Sequence, residues 1–238
     1  DKGFYSHKAA KVMKRSKNAE RRMNGAIEDK KGLMTNIEEV PELTMNFDKN
    51  YHHTLLDIQH LDLKIQDKIL FSDLNMQISN QGIVALEGKN GSGKSTLMKL
   101  LLEDMKEVEY QGNIELIEGL SISYLPQIFT EYTGSLKEFS EKQKISYEDL
   151  LNTLKKMGFP REAFTTKIEE MSMGQQKRVA IAKSLVEPAD LYLWDEPANY
   201  LDVFNQDQLI HLLKEPAMLL IEHDPYFIKE VADQVIKL

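Results

Sequence analysis

Nine consecutive residues of this chain have the composition of a loop that binds phosphate groups. Gly88–Thr96 matches the pattern G-x-x-x-x-G-K-[ST], between the apolar run Ile83–Leu86 and a helical pattern over Leu97–Leu102. Glycines let the backbone wrap around an anion, and the amides of the loop and of the helix N-terminus can donate hydrogen bonds to it. The spacing therefore predicts a site for a nucleoside triphosphate.

The side chains of this loop have separate predicted tasks. Lys94 is expected to reach the β- and γ-phosphates, and the Ser95 hydroxyl is expected to coordinate Mg²⁺. The alternative is a glycine-rich turn without a ligand, which the other motifs of the chain disfavour. The remaining loop residues expected to contact the nucleotide are Gly88, Asn90, Gly91, Gly93 and Thr96.

A second candidate group ends an apolar strand. Leu191–Trp194 precedes two carboxylates, Asp195 and Glu196. A strand buried on both faces delivers its last side chains to the carboxyl edge of a parallel sheet, where a phosphate loop also lies. Asp195 is therefore a candidate Mg²⁺ ligand, and Glu196 is a candidate base for an attacking water. Acidic residues are also common in turns, so this interpretation depends on the phosphate loop.

Another predicted helix begins near Ser172. Ser172 and Gln175 have the spacing of a capping box, which needs no ligand. Gly174 leaves the backbone amides of the first turn open to a close anion, which suits a γ-phosphate. From the residues alone, both interpretations stay open.

The hydrophobic pattern divides the chain into two predicted segments. Residues 1–53 are expected to form a basic linker helix, from Lys8 to about Glu39, followed by a connector, and residues 54–238 are expected to form one α/β domain. A largely polar, helical stretch is expected over residues 128–167. Strands are predicted within residues 56–65, 74–78, 114–116, 122–125, 191–194 and 218–221.

The charge of the chain is unevenly distributed. Its 238 residues carry a formal net charge of −8, whereas residues 1–31 hold ten Lys and Arg against four Asp and Glu, a net charge of +6. The remaining residues therefore carry −14. A basic segment joined to an acidic domain is typical of binding to a polyanion, and the alternative is a solvated helix whose charges only maintain solubility.

The composition excludes several kinds of protein. Cysteine is absent, which removes disulfides, thiol nucleophiles and Cys-based zinc sites. No apolar run approaches the roughly 18 residues that span a bilayer, and the charged N-terminus lacks the apolar region of a signal peptide. We therefore expect no membrane contact and a cytoplasmic location. Because residue 1 is not Met, we also expect this chain to be part of a longer protein.

The order of the motifs resembles that of the ATP-binding-cassette (ABC) ATPases. Ser172–Gln175 is similar to their signature loop, usually written LSGGQ, although Met171 and Met173 depart from it. Three further family elements, the Q-loop glutamine, the D-loop and the switch histidine, match Gln127, Asn199–Asp202 and His223.

The resemblance implies an ATPase that uses ATP and Mg²⁺, with an ABC-type P-loop fold of a mixed sheet and a helical subdomain. It implies catalytic roles for Glu196 and His223. The Mg²⁺ contacts that it implies are Ser95, Gln127 and Asp195.

In this family a second ABC domain completes the site. Ser172, Gly174 and Gln175 would contact the nucleotide of the opposite domain, either the other ABC domain of the full-length protein or a second copy of this chain. Family members often stack an aromatic residue on adenine at the position of Ile65, so the preference between ATP and GTP stays open.

The basic arm, residues 1–31, makes the resemblance to a subgroup of this family more specific. Gly3–Lys17, joined through a helix to an ABC domain, resembles the interdomain linker of ABC-F proteins, and Leu193–Asp202 and Ile221–Asp224 are similar to the antibiotic-resistance members that protect ribosomes. In that family two ABC domains flank a helical hairpin that enters the ribosomal E site. The resemblance thus implies the second ABC domain with part of the linker, contacting large-subunit ribosomal RNA and the P-site transfer RNA.

Two alternatives remain within the same fold. The chain could be the ATPase subunit of a membrane transporter, or a housekeeping ABC-F translation factor. The branch that serves DNA repair inserts a very long coiled coil between the glycine loop and the Asp-Glu strand, and only about one hundred residues separate Lys94 from Asp195 here.

Overall fold

The computed structural model describes residues 42–104 and 108–238, so the predicted linker helix lies outside the described residues. The described strands are β1 (Thr54–Ile65), β2 (Lys68–Ser79), β3 (Gly82–Glu87), β4 (Val108–Leu116), β5 (Ile122–Leu125), β6 (Leu191–Asp195), β7 (Ala217–Ile221) and β8 (Gln234–Lys237). Strands β2-β1-β4 form an antiparallel sheet in that order, and β5-β6-β7-β3-β8 form a parallel sheet.

Six α-helices are described: α1 (Lys94–Leu101), α2 (Leu136–Gln143), α3 (Tyr147–Lys156), α4 (Met173–Val186), α5 (Val203–Leu212) and α6 (Pro225–Val231). Short 3₁₀ turns at Arg161–Thr165 and Ile168–Glu170 connect α3 to α4. Helices α2 to α6 each begin at a Ser or Asp whose side chain accepts a hydrogen bond from a first-turn amide. Helix α1 follows Gly93 and has no such side-chain cap, which leaves its first amides for another acceptor.

The core explains why β6 and β7 are apolar throughout. Every residue of these two strands is buried. Tyr192 and Trp194 belong to an apolar cluster with α4, whereas Leu191 and Leu193 belong to a second cluster with α1 and the antiparallel sheet. A strand that is covered on both faces has no solvent-exposed position for a charged side chain along its length. The polar side chains therefore lie where the strands end, at the carboxyl edge of the sheet.

The predicted α/β fold of the ABC type is confirmed, and the six predicted strands are all present. The mixed sheet that the resemblance implied is instead two separate sheets, one antiparallel and one parallel. Helices α5 and α6 and strand β8 were not predicted: the exposed residues of α5 and β8 break the periodic patterns, and α6 has only seven residues. In the described part of the chain, no helix has both the length and the apolarity needed to cross a bilayer.

The connector before β1 lies along the domain. Leu43 is buried in the cluster that includes α4, and the backbone amide of Asn46 donates to the carbonyl of Leu185 at 2.8 Å. Phe47 forms a parallel bridge with Ala189, just before β6. These contacts extend the packed structure toward residue 42, and the domain boundary at residue 54 stays a prediction.

The side chain of Asp190, the residue before β6, connects this strand to the connector through hydrogen bonds. Its carboxylate accepts hydrogen bonds from the amide and hydroxyl of Ser121, at 2.8 and 2.5 Å, and from Asn50 Nδ2 at 3.1 Å. Burial acts to raise the pKa of Asp190, but these hydrogen bonds outweigh it and hold the pKa below its ordinary value.

We expect Asp190→Asn to lower the free energy of unfolding by about 1–2 kcal/mol at pH 7, because an amide replaces a carboxylate that accepts three hydrogen bonds. A folded pKa below the unfolded value stabilises the fold above about pH 4, and this contribution is lost as pH falls through the folded pKa. Urea denaturation at pH 7 and in acid should show the difference shrinking in acid. The exposed Asp207→Asn is the control, and an equal loss at both pH values would contradict the expectation.

Candidate functional site

The candidate site lies at the carboxyl edge of the parallel sheet. Strand β3 leads into the phosphate loop and pairs with β7, which pairs in turn with β6. In this register Ile221 aligns with Leu86 on one side and with Asp195 on the other. The loops that follow β3, β6 and β7 therefore leave the sheet side by side, as the sequence predicted for the phosphate loop and the two carboxylates.

The phosphate loop needs glycine at the point where it enters α1. Gly93 has a φ of 101°, and a Cβ atom there would lie 2.9 Å from Cβ of Leu70 on β2. Gly91 also has a positive φ, of 78°. Side chains at these positions would strain the backbone or displace β2, so the glycines allow the loop to close while the first amides of α1 stay uncapped.

Lys94 lies inside the loop. Its Nζ donates hydrogen bonds to the carbonyls of Gly88 and Lys89, at 2.8 and 3.0 Å, and the side chain is buried. Burial lowers the pKa of Lys94, and the carboxylates of Glu196 and Asp195 oppose that effect. An ammonium has three hydrogen-bond donors, so one remains for a phosphate oxygen.

Asp195 is the buried carboxylate at the end of β6. It is 1% exposed, and its Oδ1 has no hydrogen-bond partner among the described residues. Burial raises the pKa of Asp195 and the charge of Glu196 adds to this, against lowering contributions from Ser95, Lys177 and Lys94. A buried carboxylate oxygen without a partner is costly unless a cation or donor reaches it.

Three oxygen-bearing side chains could hold that cation. Asp195, Ser95 and Gln127 line one cavity of about 510 Å³. Within residues 42–104 and 108–238, no three His, Asp or Glu side chains converge in a metal-binding cluster. Mg²⁺ prefers oxygen ligands and is commonly held by only one or two carboxylates together with phosphates, so this donor set fits the ion that the sequence predicted.

Glu196 is held by side chains from three loops. Its Oε2 accepts a hydrogen bond from Gln127 Nε2 at 2.8 Å and another from Asn199 Nδ2, and its Oε1 lies 3.3 Å from His223 Nε2. The backbone of Glu196 has a φ of 51°, in the left-handed region that is unfavourable for residues other than glycine. Its carboxylate is thereby fixed beside Asp195, where it could orient a water.

The residues of the predicted signature loop, Ser172, Gly174 and Gln175, make no hydrogen bond to Asp195 or Glu196 in the described structure. The capping box is present, because the Ser172 hydroxyl accepts from the Gln175 amide and the Gln175 side chain accepts from the Ser172 amide. A Cβ on Gly174 would lie 3.0 Å from the carbonyl oxygen of Tyr200, so a small residue is required there. No hydrogen bond within the described chain joins these three residues to the phosphate loop. Their predicted contact with a second domain's nucleotide stays a prediction.

The sequence reasoning missed two buried charges next to this site. The Glu222 carboxylate, 2% exposed, accepts hydrogen bonds from the amides of Ala198 and His223 at 3.0 and 2.8 Å. Lys177 on α4 is 1% exposed. Burial lowers the pKa of Lys177 to about 8, against the opposing charges of Glu222, Asp195 and Glu196. The one sign of these buried charges in the sequence was the position of Glu222, directly after the apolar strand β7.

Relatives of the chain carry the same domain. The ABC transporter family profile matches residues 71–199, more than half of the chain. The ABC transporter F family member 5 of Arabidopsis thaliana is 28% identical over 196 residues, covering 78% of this chain and 28% of that protein. The ribosome protection protein VmlR of Bacillus subtilis strain 168 is 26% identical over 241 residues, covering 98% of this chain and 43% of that protein. The chain thus spans less than half the length of either relative.

A solved structure described as an inward-facing metal-chelate type ABC transporter superposes with a TM-score of 0.62 at 26% identity, over 78% of this chain and 80% of that chain. The architecture of two sheets and a phosphate loop is therefore shared with an ABC ATPase domain. The family match, this likeness and the assembled site together show that the chain belongs to the ABC transporter family and carries its ATPase domain.

Proposed function

We propose that this chain is the second ABC domain, with part of the preceding linker, of a cytoplasmic ABC-F protein. The full-length protein would bind and hydrolyse ATP on the ribosome and protect it from antibiotics near the peptidyl-transferase centre. The alignment with a ribosome protection protein carries this proposal, because it covers 98% of the chain and therefore includes most of the basic arm.

The site supports the ATPase part of the proposal with its own side chains. Lys94 would bind the β- and γ-phosphates, and Ser95, Gln127 and Asp195 would hold Mg²⁺, which neutralises phosphate charge when bound. The Glu196 carboxylate, fixed by its neighbours, would orient the attacking water and accept its proton. His223, beside Glu196, would contact the γ-phosphate.

An exposed apolar edge supports a paired arrangement. Large apolar side chains cluster in sequence around the D-loop and at the start of α4, and Tyr200 and Val203 are 61% and 71% exposed. Apolar surface beside a nucleotide site is typical of an interface. We infer that the other ABC domain of the full-length protein covers this edge and places its own signature loop against this ATP. In its absence a second copy of this chain could do so.

The basic arm supports the ribosomal part. Its ten Lys and Arg residues could neutralise phosphates of ribosomal and transfer RNA, and Phe4, Tyr5 and His7 could stack on exposed bases. A transporter subunit, favoured by the likeness to a transporter structure, has no evident need of this arm. A housekeeping ABC-F translation factor would share both the arm and the site.

We expect the full-length protein with Glu196→Gln, and the matching substitution in its other ABC domain, to bind ATP but hydrolyse it slowly, because the amide cannot accept the proton of water. Such a protein should co-sediment with ribosomes through a sucrose gradient only when ATP is present. Absence of co-sedimentation despite measured ATP binding would contradict the ribosomal proposal and favour a membrane partner. Protection is then tested by ATP-dependent release of a labelled antibiotic from the ribosomes.

We expect neutralisation of the basic arm to weaken this co-sedimentation, because each lost positive charge removes a contact with a phosphate of the RNA. The variant carries Gln at Lys8, Lys11, Lys14 and Arg15. A matched control carries Gln at the exposed Lys137, Lys142, Lys144 and Lys155 of the ATPase domain. The arm variant should dissociate at lower salt than the control. Equal salt sensitivity would show that the arm does not bind ribosomal RNA.

A further inference from the structure

The Glu222 carboxylate joins two loops of the site. Its Oε2 accepts from the amide of Ala198, in the loop after β6, and its Oε1 accepts from the amide of His223, after β7. A longer contact of 3.4 Å connects Oε1 to the amide of Asp224. Glu222 therefore fixes the backbone next to Asn199 and at His223, and these are two of the three residues that contact Glu196.

Lys177 adds a third element to this group. It lies on α4, five residues after Ser172, and its Nζ donates to the carbonyl of Asp195 at 3.4 Å. The ammonium also lies 5.2 Å from the centre of the Phe129 ring, two residues after Gln127. Lys177 forms no hydrogen bond or close ion pair with Glu222, but strand pairing brings the two near each other: Asp195, whose carbonyl Lys177 contacts, aligns with Ile221, the residue before Glu222.

Neither charge could be buried alone at low cost. Glu222 and Lys177 are only 2% and 1% exposed, so their charged groups have lost their hydration. Each group therefore needs an opposite charge or several hydrogen bonds. Asp195 and Glu196 add two further negative charges beside Lys177. Lys177 thus adds buried positive charge next to this group of carboxylates, while Lys94 is bonded to the phosphate loop.

We propose that Glu222 and Lys177 act as a pair of positioning residues for ATP hydrolysis. Together they hold the loops that carry Asn199 and His223 in a fixed position relative to Asp195 and helix α4. The proposal rests on the proposed ATPase function. It assigns neither residue a contact with ATP. Loss of either charge should therefore disturb the geometry around Glu196 more than it disturbs the binding of the nucleotide.

The test uses the full-length protein with Glu222→Gln, Lys177→Met and both together. Asp190→Asn is the matched control, because this partly buried carboxylate accepts hydrogen bonds from Ser121 and Asn50 at the opposite end of β6, away from the catalytic group. The measurements are kcat and KM for ATP, the ATP affinity of each variant and its thermal midpoint.

We expect kcat to fall about ten- to a hundredfold in each single variant, because small misplacements of positioned groups have effects of this size, while KM and ATP affinity stay within about threefold. The double variant should lose no more than the worse single variant, because both changes break one pair. The control should lose stability with little change in kcat.

Unchanged kcat in both single variants would overturn the proposal. Parallel losses of kcat, ATP affinity and thermal midpoint, matched by the control, would also overturn it, because they indicate a purely structural role. If the unsubstituted protein binds ATP and does not hydrolyse it, the proposed ATPase function fails first, and the role of the pair fails with it.

Discussion

The burial of strand β6 on both faces is the constraint on which the rest of this site depends. A strand between two apolar clusters can carry no charge along its length, so its first charged side chains stand where it ends. The parallel pairing with β7, and of β7 with β3, places that end beside the phosphate loop. Two carboxylates and a phosphate-binding loop are thereby brought together by packing, without any direct bond between them being needed.

Electrostatics then sets what the site can bind. Asp195, Glu196 and Glu222 gather negative charge in a poorly hydrated region, and Lys94 and Lys177 offset only part of it. One oxygen of Asp195 has no partner in the described structure. A divalent cation would satisfy that oxygen and would also neutralise the phosphates that the loop binds, so the protein and the nucleotide favour the same ion.

Local sequence patterns were sufficient for much of this structure. The phosphate loop, the apolar strands and the capping box at Ser172 each follow from residues that are close in sequence. The convergence of Asp195 with the loop was also predictable, because parallel strands end at one edge. Even the departure of Met173 from the family signature leaves the capping box intact, because the hydrogen bonds involve Ser172 and Gln175.

The features that were missed depend on contacts between distant residues. Lys177 looks like any lysine on a helix, and only the packing of α4 against Phe129 and β6 buries it. The close approach of the Tyr200 carbonyl to Gly174 was also missed, because it joins two residues that are distant in sequence. The connector contacts at Leu185 and Ala189 leave no trace in a sequence pattern, since backbone atoms make them.

Binding of a fluorescent ATP analogue to this chain, with Mg²⁺ or with a chelator, tests most directly that the loop and Asp195 form one site. We expect Mg²⁺ to tighten binding about tenfold or more, as a shared ion between phosphates and a carboxylate should. Asp195→Asn should lose this dependence but keep the Mg²⁺-free affinity, while Asp190→Asn, at the opposite end of the same strand, should retain it. Undiminished Mg²⁺ dependence in Asp195→Asn would contradict the account.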